Sequence, residues 1–254
     1  DLRIASVSTS DGVTVGYTYE ADGSGGFRVK TVTQGSGGAA QTTTFTYGTT
    51  TTDVVDGAGR TWTYEYDANK QLIAMLEPAV SGLRQKTSYT YDTSGNLIRV
   101  SQAPSAGSAA VLDTVFRYDA NGNRILQRDL LGNTVAWTYN ASNQVTAETR
   151  YTVADADGLD PTHVGTTNLP SGALVTRYIY DTRNRVRFVL NAAGEVRELT
   201  YAPNGNGVGQ LATERSYLGA TYTGTTYTEA ALNTWATDAV ALRKSNSALT
   251  EYTY

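Results

Sequence analysis

The sequence predicts an all-β fold: a long antiparallel sheet of successive hairpins, curved or spiralling, with one inserted helix near residues 228–245. Short aromatic strands recur along the chain, each followed by a turn rich in Asp, Asn and Gly. The 18 Tyr outnumber 4 Phe and 3 Trp, and tyrosine suits a half-buried sheet because its ring packs while its hydroxyl stays in water. With 40% hydrophobic and 17% charged residues, the chain is expected to fold in water as a thin sheet without a thick core.

A repeated motif places an aromatic residue, one spacer residue, a tyrosine and an aspartate in succession. The clearest copies are Tyr64-Glu65-Tyr66-Asp67, Tyr89-Thr90-Tyr91-Asp92-Thr93-Ser94-Gly95, Phe116-Arg117-Tyr118-Asp119-Ala120-Asn121-Gly122 and Tyr178-Ile179-Tyr180-Asp181. Weaker copies are Tyr17-Thr18-Tyr19, Phe45-Thr46-Tyr47, Trp137-Thr138-Tyr139 and Leu199-Thr200-Tyr201. A unit of two strands and two turns, lengthened by loop insertions, fits their spacing.

Strand geometry explains the residue types in the motif. Tyr89 and Tyr91 lie two residues apart and therefore on one sheet face, where we expect them to stack with matching rings on neighbouring strands. Asp92 is expected to end the strand by accepting backbone N–H groups, and Gly95 or Asn69 to supply the positive φ of the turn. The motif therefore predicts an aromatic ladder closed by hairpin turns.

A second turn signal returns the chain to the next aromatic strand about ten residues later. It is visible at Asp56-Gly57-Ala58-Gly59, Leu131-Gly132-Asn133 and Ala192-Ala193-Gly194-Glu195. Hairpin is therefore expected to follow hairpin along residues 1–254, which we interpret as one repeat segment of a longer protein.

Two segments depart from the repeat. Residues 152–171 interrupt it with two prolines and the only histidine, and this composition favours a surface loop. Residues 228–245 instead place Leu232, Trp235, Ala236, Ala239, Val240 and Arg243 at helical spacing. The preceding Thr226-x-x-Glu229 resembles a capping box, so a helix lying against the sheet is predicted there.

On these motifs the sequence resembles the YD-repeat, or Rhs-repeat, family over nearly its whole length. That resemblance implies a long β-sheet that spirals into a hollow shell, as in the shells of Tc toxins and bacterial Rhs effectors and the barrel of teneurins. It also implies flanking YD repeats and an enclosed toxin or effector polypeptide as partners. The Asp-Pro-x-Gly motif at which Rhs effectors cleave themselves is not matched by Asp160-Pro161-Thr162-His163, so self-processing is not expected.

Residues suited to catalysis or metal binding are few. His163 is the single imidazole and the chain has no Cys, so a surface histidine is the favoured interpretation. Asp155, Asp157 and Asp160 are weak Ca²⁺ candidates, because they lack the remaining ligands of an EF-hand loop, and a solvated acidic loop is the favoured interpretation. The repeated positions of Asp67, Asp92, Asp119 and Asp181 indicate turns. Asn140-Ala141-Ser142 fits a glycosylation sequon, a pattern that often arises by chance.

Other classes of protein find little support in the composition. A net charge of −4 offers no basic field for nucleic acid. No stretch of 18 consecutive apolar residues is present, so a membrane span is not expected. The absence of Cys excludes disulfides and thiolate metal sites.

Three functional hypotheses remain. In the first, the segment is a non-catalytic part of the wall of a bacterial β-shell around a toxin or effector, and no cofactor is expected. In the second, it belongs to a secreted or cell-surface adhesin or fibre that binds glycans or other copies of itself through exposed residues and strand edges. The third, an enzyme such as a polysaccharide hydrolase, requires a non-repeating group of carboxylates that the sequence does not reveal.

Overall fold

The computed structural model describes residues 3–35, 39–105, 107–108, 112–154, 169–203, 209–238 and 243–253. Eighteen antiparallel strands form one unclosed sheet, and the described residues add one short helix, which confirms the predicted all-β fold. Close contacts divide the chain into two compact units, Asp1–Thr114 and Val115–Tyr254. We describe each unit separately, and the prediction of one domain over residues 1–254 stays a prediction.

The first unit is built from short strands in sequence order, each antiparallel to the next. They are β1 (Ser6–Ser8), β2 (Thr14–Ala21), β3 (Phe27–Gln34), β4 (Gln41–Tyr47), β5 (Thr51–Val55), β6 (Thr61–Tyr66), β7 (Leu72–Leu76), β8 (Lys86–Tyr91) and β9 (Leu97–Ala103). Most of their side chains are half-buried, and Ala74 is the one buried apolar side chain among the residues described in this unit.

The second unit is also a meander of antiparallel strands in sequence order. Its elements are β10 (Leu112–Tyr118), which spans the division between the units, β11 (Arg124–Arg128), β12 (Thr134–Tyr139), β13 (Val145–Tyr151), β14 (Ala173–Tyr180), β15 (Val186–Leu190), β16 (Glu195–Tyr201), β17 (Leu211–Thr221), α1 (Glu229–Ala236) and β18 (Ser247–Glu251). The last two strands pair directly, so α1 is an insertion between them.

The main hydrophobic core lies between α1 and one face of the second unit's sheet, which we call the helix face. Leu232 and Ala236 of α1 pack on a buried apolar group of the sheet: Ile179, Phe188, Leu190, Val196 and Tyr217. A smaller cluster joins Val115 and Leu126 to Leu169. Burial is therefore concentrated beneath the helix, while the rest of the sheet is thin.

The predicted helix exists but is shorter than residues 228–245, and its predicted cap is wrong. It begins after Thr228, whose backbone is extended and whose hydroxyl accepts a hydrogen bond from the Ala231 N–H at 3.3 Å. Thr226 lies too early for this role, because an N-cap residue must accept from an N–H two or three positions later. Thr237 ends the helix, Arg243 lies beyond it, and Ala239 and Val240 are outside the described residues.

The predicted surface loop at residues 152–171 lies mostly outside the described residues, which exclude 155–168. Its described end carries Leu169, which packs against Val115 and Leu126 on the helix face. Whether the segment as a whole is a surface loop stays a prediction.

Candidate functional site

One five-residue turn closes the strand after the repeat tyrosine. At Asp92 the carboxylate Oδ1 accepts the N–H groups of Ser94 and Asn96, both at 2.9 Å, and the Gly95 N–H donates to the Asp92 carbonyl at 3.0 Å. Gly95 has φ +85°, a conformation that favours glycine. The Asn96 side chain and N–H groups of the turn hold the pKa of Asp92 below its usual value.

The other repeat copies close in the same way, with one correction. Asp67, Asp119 and Asp181 each accept the N–H groups two and four residues later. The residue with positive φ is always the third after the aspartate, so Lys70 at φ +66° takes this place and the predicted Asn69 does not. Local sequence could not show this, because lysine has no intrinsic preference for left-handed backbone and the turn imposes it.

The opposite ends of the strands use this turn as well. Asp56, Asp129 and Asn191 accept the N–H groups two and four residues later, which confirms the second turn signal. Asn140 does the same after Tyr139, with its Oδ1 receiving the N–H groups of Ser142 and Gln144. The sequon at Asn140 therefore coincides with a turn position in which asparagine replaces aspartate.

A β-bulge accompanies most of these turns. In the hairpin of β8 and β9 the pairing shifts between Thr90 and Tyr91, which leaves Ile98 as the extra residue. The same shift precedes Tyr19, Tyr66, Tyr118, Tyr139, Tyr180 and Tyr201. In the hairpin of β4 and β5, Tyr47 pairs with Thr52 without a shift.

The second tyrosine of the repeat fastens its hairpin to the preceding strand. The hydroxyl of Tyr91 donates to the carbonyl of Leu72 at 2.9 Å, two residues beyond Ala74, where the pairing of β7 with β8 ends. Equivalent bonds join Tyr19 to Ile4, Tyr47 to Val29, Tyr139 to Arg124, Tyr180 to Val145 and Tyr201 to Val186. The hydroxyl thus donates to a carbonyl that lies beyond the end of the pairing between the two strands, which explains a tyrosine where phenylalanine would pack equally well.

Burial favours the donor form of four of these hydroxyls. Burial raises the pKa of Tyr47, Tyr139, Tyr180 and Tyr201 above the usual tyrosine value. Each therefore remains protonated, and able to donate to its carbonyl, throughout the neutral range.

The structure corrects the expected ladder of stacked rings. Among the described residues, the aromatic pair in contact within the repeat motif is Phe45 with Tyr47, two rings of the same strand with centroids 6.3 Å apart. Arginines provide other contacts, with the guanidinium of Arg28 over Tyr47 at 4.1 Å and that of Arg185 over Tyr201 at 4.2 Å. Consecutive hairpins are therefore joined by hydroxyl–carbonyl and cation–π contacts.

One buried carboxylate breaks the repetition. Glu198 on β16 is 2% exposed and stands three residues before Tyr201. The equivalent residues of the other copies, which carry no carboxylate, are Gly16, Thr44, Thr63, Ser88, Val115, Ala136 and Arg177. Sequence reasoning missed Glu198, although this comparison of equivalent positions would have singled it out.

Basic and hydroxyl groups surround Glu198, and we call this set the Glu198 cluster: Glu198, Arg187, Arg215, Tyr217 and Lys244. Its carboxylate accepts hydrogen bonds from Arg187 Nη2 at 2.6 Å and from the Tyr217 hydroxyl. Arg215 Nε and Lys244 Nζ each lie 3.8 Å from a carboxylate oxygen. The cluster satisfies a charge that would otherwise be costly to bury.

The pKa values follow from this geometry. Burial pushes the pKa of Glu198 upward, but the hydrogen bonds from Tyr217 and Arg187, together with the nearby cations, outweigh it and the pKa is lowered. Burial raises the pKa of Tyr217, and the adjacent Glu198 carboxylate raises it further. At neutral pH an ionised Glu198 therefore faces a neutral Tyr217 hydroxyl.

A cavity of about 610 Å³ lies over β10–β13 of the second unit. Its lining includes Leu126, Ala136, Thr149, Tyr151 and Leu169. Leu126, Ala136 and Thr149 are aligned across neighbouring strands and share the helix face. The cavity is mostly apolar and has the size of a small-molecule or side-chain site.

The predicted metal and histidine residues lie outside the described part of the chain: Asp155, Asp157, Asp160 and His163. Within the described ranges, no group of three His, Asp or Glu side chains is placed to hold a metal ion. The Ca²⁺ interpretation of the acidic loop therefore stays a prediction.

The sequence predicted that the chain has no membrane span, because it lacks a long enough apolar stretch. In the part of the chain that the structure describes, no helix has the length and apolar character to span a bilayer.

The repeated hairpin and its turns define a repeat protein built as an extended antiparallel sheet. No protein-family model and no curated protein sequence matches the chain. Solved structures do match the chain in fold. The crystal structure of TcdB2-TccC3-TEV matches at 12% identity with a TM-score of 0.51, covering 85% of this chain and 12% of that one. The crystal structure of TcdB2-TccC3-Cdc42 matches at 12% identity with a TM-score of 0.50, covering 83% of this chain and 11% of that one.

A Photorhabdus luminescens Tc holotoxin pore with a TccC3 mutation matches at 12% identity over 83% of this chain and 12% of that one, with a TM-score of 0.45, too low to support an argument. At such identities the likeness to the two TcdB2-TccC3 structures establishes a shared fold alone. The chain spans only 11–12% of the length of those structures.

Proposed function

We propose that this chain is a non-catalytic YD-repeat segment that forms part of the wall of a β-sheet shell enclosing a toxin or effector polypeptide. The observation that carries the proposal is the way successive hairpins are joined, through second-tyrosine hydroxyls such as that of Tyr91 on the carbonyl of Leu72. A wall of this kind needs continuity between hairpins and little core. Flanking YD repeats and the enclosed polypeptide would be its partners.

The likeness in fold to the two TcdB2-TccC3 structures supports this assignment. The chain is similar to about a ninth of each, as expected for one segment of a larger wall. We further propose that the protein is bacterial and acts outside the cell or at its surface.

Electron microscopy of the full-length protein that contains this segment tests the proposal. Closed hollow particles with internal density are expected. Deleting the enclosed polypeptide should empty the particles and leave their outline unchanged. Open filaments, or particles without a lumen, would contradict a shell.

An adhesive or fibre-forming segment is the second candidate, and one feature favours it. Val80 and Leu83 are 75% and 63% exposed on either side of a tight turn in which Ser81 and Gly82 both have positive φ. A rigid apolar tip of this kind is suited to contact with another chain. Sedimentation of Val80→Asp, with Leu131→Asp as the matched exposed control, tests it: loss of self-association in the first variant alone would support the fibre.

The non-catalytic part of the proposal has its own test. Turnover of a polysaccharide or peptide substrate that is abolished by Asp157→Asn or His163→Ala would show that the segment contains an active site. The expected result is no turnover by the wild type, or a turnover that both variants leave unchanged.

A further inference from the structure

The insertion, residues 222–246 with 239–242 outside the described part, covers the helix face of the second unit. Leu232 of α1 is completely buried there, and Ala236 is 2% exposed. Trp235 packs edge-on against Tyr217, with ring centroids 5.0 Å apart. The insertion therefore hides apolar sheet residues that would otherwise face solvent.

Polar contacts from the insertion converge on the Glu198 cluster. Arg187 is the extra residue of the bulge before Tyr180, and it contacts both sheet and helix. Its guanidinium donates to Glu198 at 2.6 Å and lies 3.4 Å from Asn233 Oδ1 and 3.7 Å from Glu229 on α1. Lys244 reaches the same carboxylate from the end of the insertion.

The charges that face Glu198 are unequal. The sheet supplies Arg187 and Arg215, and the insertion supplies Lys244, so three cations surround one buried carboxylate. The second anion, Glu229, has a side chain 31% exposed and touches the cluster only through Arg187. Tyr217 is neutral, and Arg177 on the same face lies over the Tyr227 ring of the insertion at 4.0 Å.

We propose that Glu198 is an acid-sensitive latch: protonation of its carboxyl group releases α1 from the sheet and uncovers the apolar face beneath. The inference goes beyond the proposed shell function and does not depend on it.

Electrostatics gives the reason for release. A neutral carboxyl group no longer compensates the three cations, which then repel one another; Arg187 and Arg215 are largely buried, and Lys244 is about half exposed. Lys244 belongs to the insertion, so movement of the insertion away from the sheet relieves this repulsion. Release also returns Arg187 to water.

The direction of the pH dependence follows from the pKa of Glu198. It is lowered in the folded state from the usual 4.5, so docking is fully stabilised above that value. The stabilisation is lost as the pH falls through the lowered value. Release is therefore an acid event, absent at neutral pH.

Cysteine accessibility measures release directly, because the chain has no native cysteine. Ala236→Cys reports on the helix and Ala74→Cys on the first unit, and both positions are 2% exposed. Labelling with a disulfide reagent that reacts in acid should accelerate several-fold for Ala236→Cys between pH 6 and pH 3, a range that extends below the lowered pKa of Glu198. The Ala74→Cys rate should stay unchanged, which separates release from acid unfolding of the turns.

Substitutions in the cluster complete the test. Glu198→Gln in the Ala236→Cys background should label at neutral pH at the acid rate and lose its pH dependence, while Glu251→Gln serves as the exposed control. Lys244→Gln retains the buried carboxylate but removes the insertion's cation, so it should weaken the acid-induced acceleration, because the repulsion between Lys244 and the sheet arginines is lost. Equal acceleration at both cysteines, or full pH dependence in Glu198→Gln, would overturn the latch.

Discussion

The two tyrosines of a repeat differ in what their hydroxyls do. Tyr91 donates to the backbone carbonyl of Leu72, at a point where strand pairing has ended. The first position of the motif accepts Phe116, Trp137 and even Leu199, because there only packing matters. The second position is tyrosine in all eight copies, and six of these hydroxyls donate to a backbone carbonyl, those of Tyr19, Tyr47, Tyr91, Tyr139, Tyr180 and Tyr201; the other two copies are Tyr66 and Tyr118.

Replacing Tyr91 by phenylalanine should reveal this role. We expect Tyr91→Phe to lower the free energy of unfolding by about 1 kcal/mol, since the Leu72 carbonyl loses its donor. Tyr66→Phe is the matched control, because the Tyr66 hydroxyl donates to no described carbonyl and β5 stays paired with β6 as far as Thr51. Equal urea midpoints for the two variants would contradict the role of the hydroxyl.

The turn aspartates give stability a dependence on pH. The folded-state pKa of Asp92 lies below its usual 3.8, so its ionised carboxylate stabilises the turn above that value and ceases to do so as the pH falls through the lowered value. Asp92→Asn should therefore unfold at lower urea than the wild type at pH 7. The two midpoints should converge below about pH 4. A gap that is constant with pH would argue against the carboxylate.

At the scale of the element, the turn imposes its backbone on whichever residue stands third after the aspartate. Lys70 adopts φ +66° and Gly95 adopts φ +85° in equivalent places. A non-glycine residue in this left-handed backbone region costs about 1–2 kcal/mol. Glycine avoids this cost but loses more backbone entropy on folding, which offsets part of its advantage. The hairpins therefore differ in stability although their hydrogen bonds are alike.

Reciprocal substitutions test this cost. Lys70→Gly should raise the free energy of unfolding by about 0.5–1 kcal/mol, and Gly95→Ala should lower it by about 1 kcal/mol. A Cβ at Gly95 would meet only the Gln71 Nε2 at 3.5 Å, so the loss is conformational and not steric. Chemical denaturation of both variants measures the difference, and two changes of the same sign would refute the argument.

The helix depends on burial for its stability, because eight residues form too short a helix to be stable alone. Leu232→Ala should cost about 2–5 kcal/mol, the range for truncating a fully buried leucine. Leu218→Ala, on a side chain 62% exposed, should change stability by less than about 0.5 kcal/mol. Thermal melting of both variants decides whether the helix belongs to the cooperative core.

At the scale of the whole molecule, burial is uneven between the units. The second unit contains the cluster of Ile179, Phe188 and Leu232, whereas Ala74 is the buried apolar residue among those described in the first. Local opening is rarest where apolar contacts are densest. Hydrogen exchange should therefore be slowest in β14–β17 and faster throughout β2–β8, and the reverse order would contradict this account of the core.

Local spacing carries most of the fold, since Tyr91, Asp92 and Gly95 specify a strand end and a turn within a few residues. The acceptor of the Tyr91 hydroxyl could not be predicted in this way, because Leu72 belongs to the preceding hairpin and lies beyond the end of the pairing of β7 with β8. Glu198 was missed for a similar reason: its partners Arg187 and Tyr217 are 11 and 19 residues away. The Thr228 cap was missed because the residue at which the helix begins is not fixed by the local sequence, which offers a threonine at 226 as well as at 228.

The hydroxyl–carbonyl bonds between hairpins add to the backbone pairing at the same boundaries when the protein is placed under mechanical force. Tension applied at the two chain ends pulls across the strands, so bonds at each boundary break in succession and do not share the load. Each broken boundary then releases about one hairpin, such as the 21 residues from Tyr118 to Tyr139, or roughly 70 Å of extended chain. A motor that threads this polypeptide would therefore advance in steps of about one hairpin. A hydrogen bond from a tyrosine hydroxyl would be among the contacts broken at most of these steps.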